Sequence, residues 1–191
     1  MAKKPNQAYA ARLDIDYPDR LNRLTTFFRP ILIIPIAIIV SLLSTGISFA
    51  TLLMIVFRQK YPRWWFDFAR EMARLNVRVG AYAALLTDSY PSTTKDQAVH
   101  LDLSYPDVQK DLSRWMPLVK WFLAIPHYVI LLVLWIFAFF AIIIAWFAIL
   151  ITGRYPKGLF NYVVGVFRWS LRVSAYTYLF VTDEYPPFSM N

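Results

Sequence analysis

Arginines recur in pairs four residues apart, Arg74 with Arg78 and Arg168 with Arg172. On a helix that spacing puts two guanidiniums on one face, a turn apart. A guanidinium is a fixed cation whose planar fork matches phosphate and carboxylate oxygens. The chemistry open to these pairs is therefore anion binding: a lipid phosphate, a carboxylate elsewhere in the chain, or a partner protein. Other reactive side chains are few. Asp88 and Asp183 each stand just before a Tyr-Pro, at the end of an arginine-bearing segment, where a carboxylate opposes the helix dipole and needs a compensating partner. They read as structural latches. The only acidic group that could serve an enzyme acting on lipid is Asp14, Asp16 and Asp102. With two histidines, His100 and His127, and no cysteine, neither a metal nor a thiol nucleophile is expected. His127 reads as a hydrogen-bonded histidine near an interface, and His100 as a solvated one. Five glycines without either glycine fingerprint make no phosphate loop. No cofactor and no catalytic residue is expected.

The elements that must position these residues are set by composition. The chain has 191 residues, 58% apolar and 17% charged, and a mean hydropathy of +0.43. A soluble domain carries about a quarter charged residues, so both a soluble enzyme and a disordered chain are disfavoured. Two runs stand out: 30–57 has no charge, and 121–152 has only His127 as a group able to carry charge near neutral pH. A span needs roughly 20 apolar residues, so each run is read as one transmembrane helix with surplus length. Pro35 and Pro126 stand near their starts, where proline is tolerated. The first run begins too late and is too long for a signal peptide.

The chain repeats itself. LDIDYPD at 13–19 returns as LDLSYPD at 101–107, and RQKYP at 58–62 as TGRYP at 152–156. RLNVRVGAYAALLTDSYP at 74–91 is answered by RWSLRVSAYTYLFVTDEYP at 168–186. The opening block alternates apolar and polar residues and reads as a short strand. Asp19 and Asp107 are plausible N-caps for an amphipathic helix after it. Trp115 and Trp121 lie where an aromatic belt would sit. Beyond the Tyr-Pro turn, Asp67, Glu71, Arg74, Arg78 and Tyr82 form a polar stripe. Asn161, Gly165, Arg168, Arg172 and Tyr176 are its equivalents. The second stripe lacks the first one's acids, so its arginines must be neutralised elsewhere.

The segment TGRYPKGLFNYVVGVFRWSLRVSAYTYLFVTDEYPPF, with KWFLAIPHYVI before it, resembles the bacterial integral-membrane domain-of-unknown-function family forty-three eighty-nine. The resemblance is strongest over 113–188 and weaker over the first repeat. It implies a fold and a compartment but no activity.

The reading is an all-α membrane protein of two tandem repeats. Each has a short strand, an amphipathic helix, a long transmembrane helix and an Arg-striped membrane or interfacial helix. The division is a tail at 1–10, repeat 1 at 11–91, a linker at 92–98 and repeat 2 at 99–191. Four membrane helices are preferred to two. With even pairing the strands meet on one side, where the tail and linker side carries ten cations against five opposite, placing both termini in the cytoplasm. The expected function is that of a non-enzymatic accessory or scaffolding protein of the bacterial inner membrane, a homo-oligomer or a subunit of a larger complex. Arg74, Arg78, Arg168, Arg172, Trp115 and Trp121 are the expected contacts to anionic lipid or a protein partner. The alternative is a small transporter or anion channel. Nucleic acid is not an expected partner, because the cations are spread along membrane borders.

Overall fold

A computed structural model describes residues 9–93 and 95–191, the side chain of Thr45 excepted. Most of the expected tail, Lys3 and Lys4 included, lies outside them.

Helices dominate because the two uncharged runs offer the backbone nothing else to bond to. Helix α1 (Arg23–Leu32) leads through Ile33 into α2 (Ile34–Arg58), which stops where Gln59 turns left-handed, φ 45°. After Pro62 the chain reverses into α3 (Arg63–Ala83). The second repeat follows the same plan: α5 (Met116–Leu123), α6 (Ile125–Thr152), a left-handed stop at Gly153 with φ 73°, then α7 (Lys157–Thr177). Pro35 and Pro126 lie in the first turns of α2 and α6, where the missing N–H has no intrahelical partner to lose. The N-cap of α1 is Asn22 and not Asp19, because the helix starts three residues later than the Tyr-Pro suggests. Asp107 does cap, but only the four-residue α4 (Val108–Asp111).

The strand motifs form β1 (Ala11–Ile15) and β2 (Val99–Leu103), one antiparallel pair with Leu13 opposite Leu101. Their alternating faces bury Leu13, Ile15, Val99 and Leu101 in the main core with Phe160 and Val163 of α7. Helix α3 packs antiparallel along α2. Trp65 donates to Thr51 at 2.9 Å, Ile47 meets Ala69 and Met72, and Asn76 reaches Ser44 at 2.6 Å. Helix α7 returns along α6 in the same way, where Trp135 donates to Ser170 at 3.0 Å.

Between repeats, the amphipathic helices are exchanged. Helix α1 packs on α6, where Trp146 donates to the Thr26 carbonyl at 3.1 Å. Helix α5 packs on α2, and just before it Arg114 caps the end of α2 through the Val56 and Phe57 carbonyls at 2.7 and 3.2 Å. The repeats run in opposite directions. Tyr105, after β2, donates to the Tyr61 carbonyl at the α2–α3 turn; Tyr17, after β1, donates to the Tyr155 carbonyl at the α6–α7 turn. Since the strands are antiparallel, those turns lie at opposite ends of the molecule.

This arrangement changes the cation partition. Leu21 bonds the Gly153 carbonyl, so Arg20 and Arg23 share an end with Arg154 and Lys157. Lys110 and Arg114 share the other with Arg58, Lys60 and Arg63. The expected ten-to-five bias does not describe the described residues, and the strands pair alongside the helices rather than at one end of them. Sequence repetition established that the units are equivalent but carried nothing about their relative direction.

Candidate functional site

Helices α3 and α7 are amphipathic in opposite senses on their two sides. One side packs on α2 and α6, and the other turns the arginine stripe towards the strand pair. Arg74, Arg78, Arg168 and Arg172 all line a single cleft of about 820 Å³, together with Arg12, Asp14, Asp96, Asp102 and His100. The structure thus brings both stripes to one place.

Within the cleft the stripes are compensated in two tiers. Arg74 bonds both Glu71 oxygens at 2.9 and 2.7 Å and the Leu101 carbonyl at 3.4 Å. Arg168 has no acid on its own helix; it reaches Asp14 of β1 at 2.7 Å and the Leu13 carbonyl at 2.9 Å. Each of these arginines therefore clasps one residue of the paired Leu13 and Leu101, from opposite repeats. One turn further, Arg78 and Arg172 are 6% and 7% exposed and bond only carbonyls: Ser92 for Arg78, Arg168 and Ser189 for Arg172. Of the other acids in this region, Asp96 lines the cleft and acts on Arg78 from a distance. Asp16 meets His100 at 3.0 Å, and Asp102 stands opposite Arg12 in the ladder.

A second duplicated arrangement closes each end of the molecule. Asp88 bonds the backbone N–H of Asn22 at 2.6 Å and pairs with Arg29. Asp183 bonds the N–H of Ser113 at 2.6 Å and pairs with Lys120 at 2.8 Å. Arg29 also donates to the Thr87 carbonyl at 3.0 Å, and Lys120 to that of Thr182 at 2.7 Å. Each cation sits over an aromatic ring, Arg29 over Tyr82 at 4.5 Å and Lys120 over Tyr176 at 4.9 Å. Both cations are buried, and Lys120 is pulled below the usual lysine range by loss of solvent, with Asp183 opposing the shift. The expectation that the cations lie along membrane borders does not hold for Arg29 and Lys120, which are buried. The available signal was a cation at matching places in the two short helices, each among apolar residues on its C-terminal side.

His127 is buried in α6, accepting from Trp169 at 3.0 Å and stacked on Phe188 at 4.0 Å. Trp115 is exposed, whereas Trp121 bonds the Thr177 carbonyl at 2.7 Å. Neither tryptophan lines the arginine cleft. Trp121 instead lines a mostly apolar cavity of about 660 Å³ between α2 and α7, with Ser44, Phe49, Trp135 and Ser174. No group of three His, Asp or Glu side chains fit to hold a metal occurs among the described residues.

The chain matches the family model described as a domain of unknown function (DUF4389) twice, over residues 23–95 and 114–190, and belongs to that family. Both matched segments start after the strand of their repeat. No curated protein and no solved structure matches.

Proposed function

We propose that this DUF4389 member is a non-enzymatic integral membrane protein of a bacterial cytoplasmic membrane. It works as an accessory or scaffolding component, as a homo-oligomer or as a subunit of a larger complex, with anionic head groups at its basic ends. Helices α2 and α6 are long and apolar enough to cross a bilayer. Their outer faces present Leu42, Phe49, Phe57, Leu132, Phe137 and Ile151, all more than half exposed. An apolar surface of that extent needs lipid or protein over it.

The observation that carries the reading is the level at which the polar side sits. Arg74 lies two residues before Asn76, which bonds Ser44; Arg168 lies two before Ser170, which bonds Trp135. Ser44 and Trp135 are each ten residues into their helices, α2 and α6. At 1.5 Å per residue that is about 15 Å, half the depth of a core roughly 30 Å thick. If α2 and α6 cross, the arginine cleft and the strand pair lie near mid-bilayer. Charged groups and an open sheet edge do not face hydrocarbon there. They face protein or enclosed water, so the fold is complete only inside an assembly. Because α3 and α7 return along α2 and α6, the same geometry favours four crossing helices in two units of opposed direction, a known plan for membrane folds. Tyr9 donates to the Glu184 carbonyl at 3.2 Å, which brings the residues before β1 and those after α7 to one end of the molecule.

An arginine-lined cleft at that depth also favours, as a second reading, an anion pathway enclosed between copies. Mild-detergent purification with mass determination of the intact particle tests both. A stable homo-oligomer or hetero-complex is expected. A particle of one chain in detergent overturns the assembly, and a closed ring with anion flux moves the reading to the channel.

A further inference from the structure

We propose that the cleft holds a phosphate-type oxyanion between the repeats, gripped by Arg78 of the first and Arg172 of the second. The two positions are equivalent, both line the cleft, and both side chains are more than nine-tenths buried. Among the described residues neither has a carboxylate within ion-pair distance. Arg78 donates to the Ser92 carbonyl, and among the described residues its buried Nε has no hydrogen-bond partner. Arg172 gives Nε to the Arg168 carbonyl at 3.3 Å and one terminal nitrogen to Ser189 at 2.8 Å. A buried cation without a counter-ion is costly, and carbonyl dipoles offset only part of that cost.

Its neighbours define what is missing. One turn away, Arg74 and Arg168 already hold Glu71 and Asp14, so the fold supplies an acid wherever it needs one for packing. At the second tier no described acid comes within ion-pair distance in either copy, although Asp96 and Glu71 act on Arg78 from farther off. The described cleft lining carries five arginines and three aspartates, and Arg168 occupies one of those, Asp14. Asp96 and Asp102 remain against Arg12, Arg78 and Arg172, so the cleft keeps room for negative charge. A phosphate group fits this better than a halide: several oxygens can take the in-plane N–H groups of two guanidinium forks at once. A lipid phosphodiester and free phosphate share that chemistry. The site rests on the cleft alone and holds whether or not the protein assembles.

The test uses the purified full chain in detergent, melted with and without inorganic phosphate at constant ionic strength. It is then exchanged into phosphatidylglycerol or phosphatidylcholine and weighed by native mass spectrometry. Phosphate is expected to raise the melting temperature of the parent chain and of Arg154→Gln, an exposed arginine outside the cleft, but not of Arg78→Gln combined with Arg172→Gln. Retained phosphatidylglycerol that inorganic phosphate displaces identifies a lipid as the source of the anion. A phosphate shift without lipid retention identifies a soluble one. The proposal is overturned if the parent chain responds to neither, or if the double variant binds as the parent does. Should the double variant not fold, Arg172→Gln alone carries the test: phosphate binding at least tenfold weaker is expected, and unchanged binding overturns the site.

Discussion

Lys120 is wholly buried, yet its ammonium stands 2.8 Å from Asp183 and 4.9 Å from the centre of the Tyr176 ring. Arg29, Asp88 and Tyr82 repeat the arrangement at the opposite end of the molecule. In each case a carboxylate beyond the last helix of the unit takes both a cation from the short helix and a backbone N–H before it. One side chain thus ties the closing segment of a repeat to its opening one. That explains why an acid recurs after α3 and α7, where it opposes the dipole of the preceding helix.

Asp183→Asn should therefore be more damaging than loss of a surface pair. It leaves Lys120 buried without its charge partner, a change that costs about 3–5 kcal/mol. Thermal melting in detergent should show the loss. Adding Lys120→Met should recover most of it, because a buried pair replaced by apolar groups is often neutral. If Asp183→Asn melts like the parent chain, the ion pair does not hold the C-terminal segment.

The contact of α3 with α7 makes a second test. A Cβ at Gly80 would stand 2.7 Å from the Phe167 ring, which is itself packed edge-on against Trp135 at 5.1 Å. In a free helix Gly→Ala gains about 1 kcal/mol. Here overpacking costs about 1–3 kcal/mol, so Gly80→Ala should lower the melting temperature. Phe167→Leu in the same chain should reverse the sign of the alanine effect. A stabilising Gly80→Ala on its own would mean that the two helices do not meet there.

Much of this architecture is legible in the residues. The LDIDYPD and LDLSYPD blocks mark both strands by alternation alone, and the two uncharged runs mark α2 and α6. The stripe helices follow from the arginine spacing, with Arg74 and Arg168 at matching places. What alternation and periodicity cannot give is the pairing between distant segments. Asp14 and Arg168 are far apart in the chain, and only the opposed direction of the repeats brings β1 against α7. The same holds for Arg29 with Asp88, since a cation in an amphipathic helix looks alike whether it faces head groups or a buried acid. Nor does the spacing of four distinguish Arg74, which has Glu71 beside it, from the more deeply buried Arg78.

The turns offer a test by pH. Tyr61 and Tyr155 lie at equivalent places in the two turns and are 3% and 1% exposed. Burial holds both phenols well above the ordinary tyrosine range, with Thr51 partly opposing the shift at Tyr61. The folded chain then keeps these protons where the unfolded chain, near pH 10, releases them. Folded protein binds more protons in that window, so stability falls as pH rises through about 10. Absorbance titration near 295 nm should show a fraction of the tyrosine signal that appears only with unfolding. Tyr61→Phe together with Tyr155→Phe should move the alkaline transition upward. No movement would leave other groups responsible for it.

Opposed repeats have a direct topological consequence. If α2 and α6 cross the membrane, the α2–α3 and α6–α7 turns open to opposite sides. In this cysteine-free chain, Lys60→Cys and Lys157→Cys can be compared with an impermeant thiol reagent in intact cells. One of the two should label and the other should label only after permeabilisation. Equal labelling of both would mean that the repeats do not cross in opposite directions, whether they run parallel or lie along the membrane surface.

The two outer-tier arginines separate local pairing from pairing across the fold. Arg74 is neutralised by Glu71 three residues away on its own helix, and its reach to Leu101 is long at 3.4 Å. Helix pairs of this kind contribute about 0.3–0.5 kcal/mol when exposed. Arg168 makes its bonds to a different repeat, to Asp14 at 2.7 Å and the Leu13 carbonyl at 2.9 Å. Hydrogen bonds involving a charged group contribute about 1.5–3 kcal/mol, although Asp14 is largely exposed and its share is screened accordingly. Arg168→Gln should therefore lower stability more than Arg74→Gln, and it should do so by releasing β1. Hydrogen exchange distinguishes this from a general loss: the amides of Leu13 and Ile15 should lose protection in Arg168→Gln before those of α7 do. In Arg74→Gln the strand pair should stay protected, because the main partner of Arg74 is Glu71 on its own helix and its bond to Leu101 is long. Retained protection of the strand pair in both variants would show that the strands are held by their apolar faces alone, and that the arginines face the cleft for its occupant and not for the sheet.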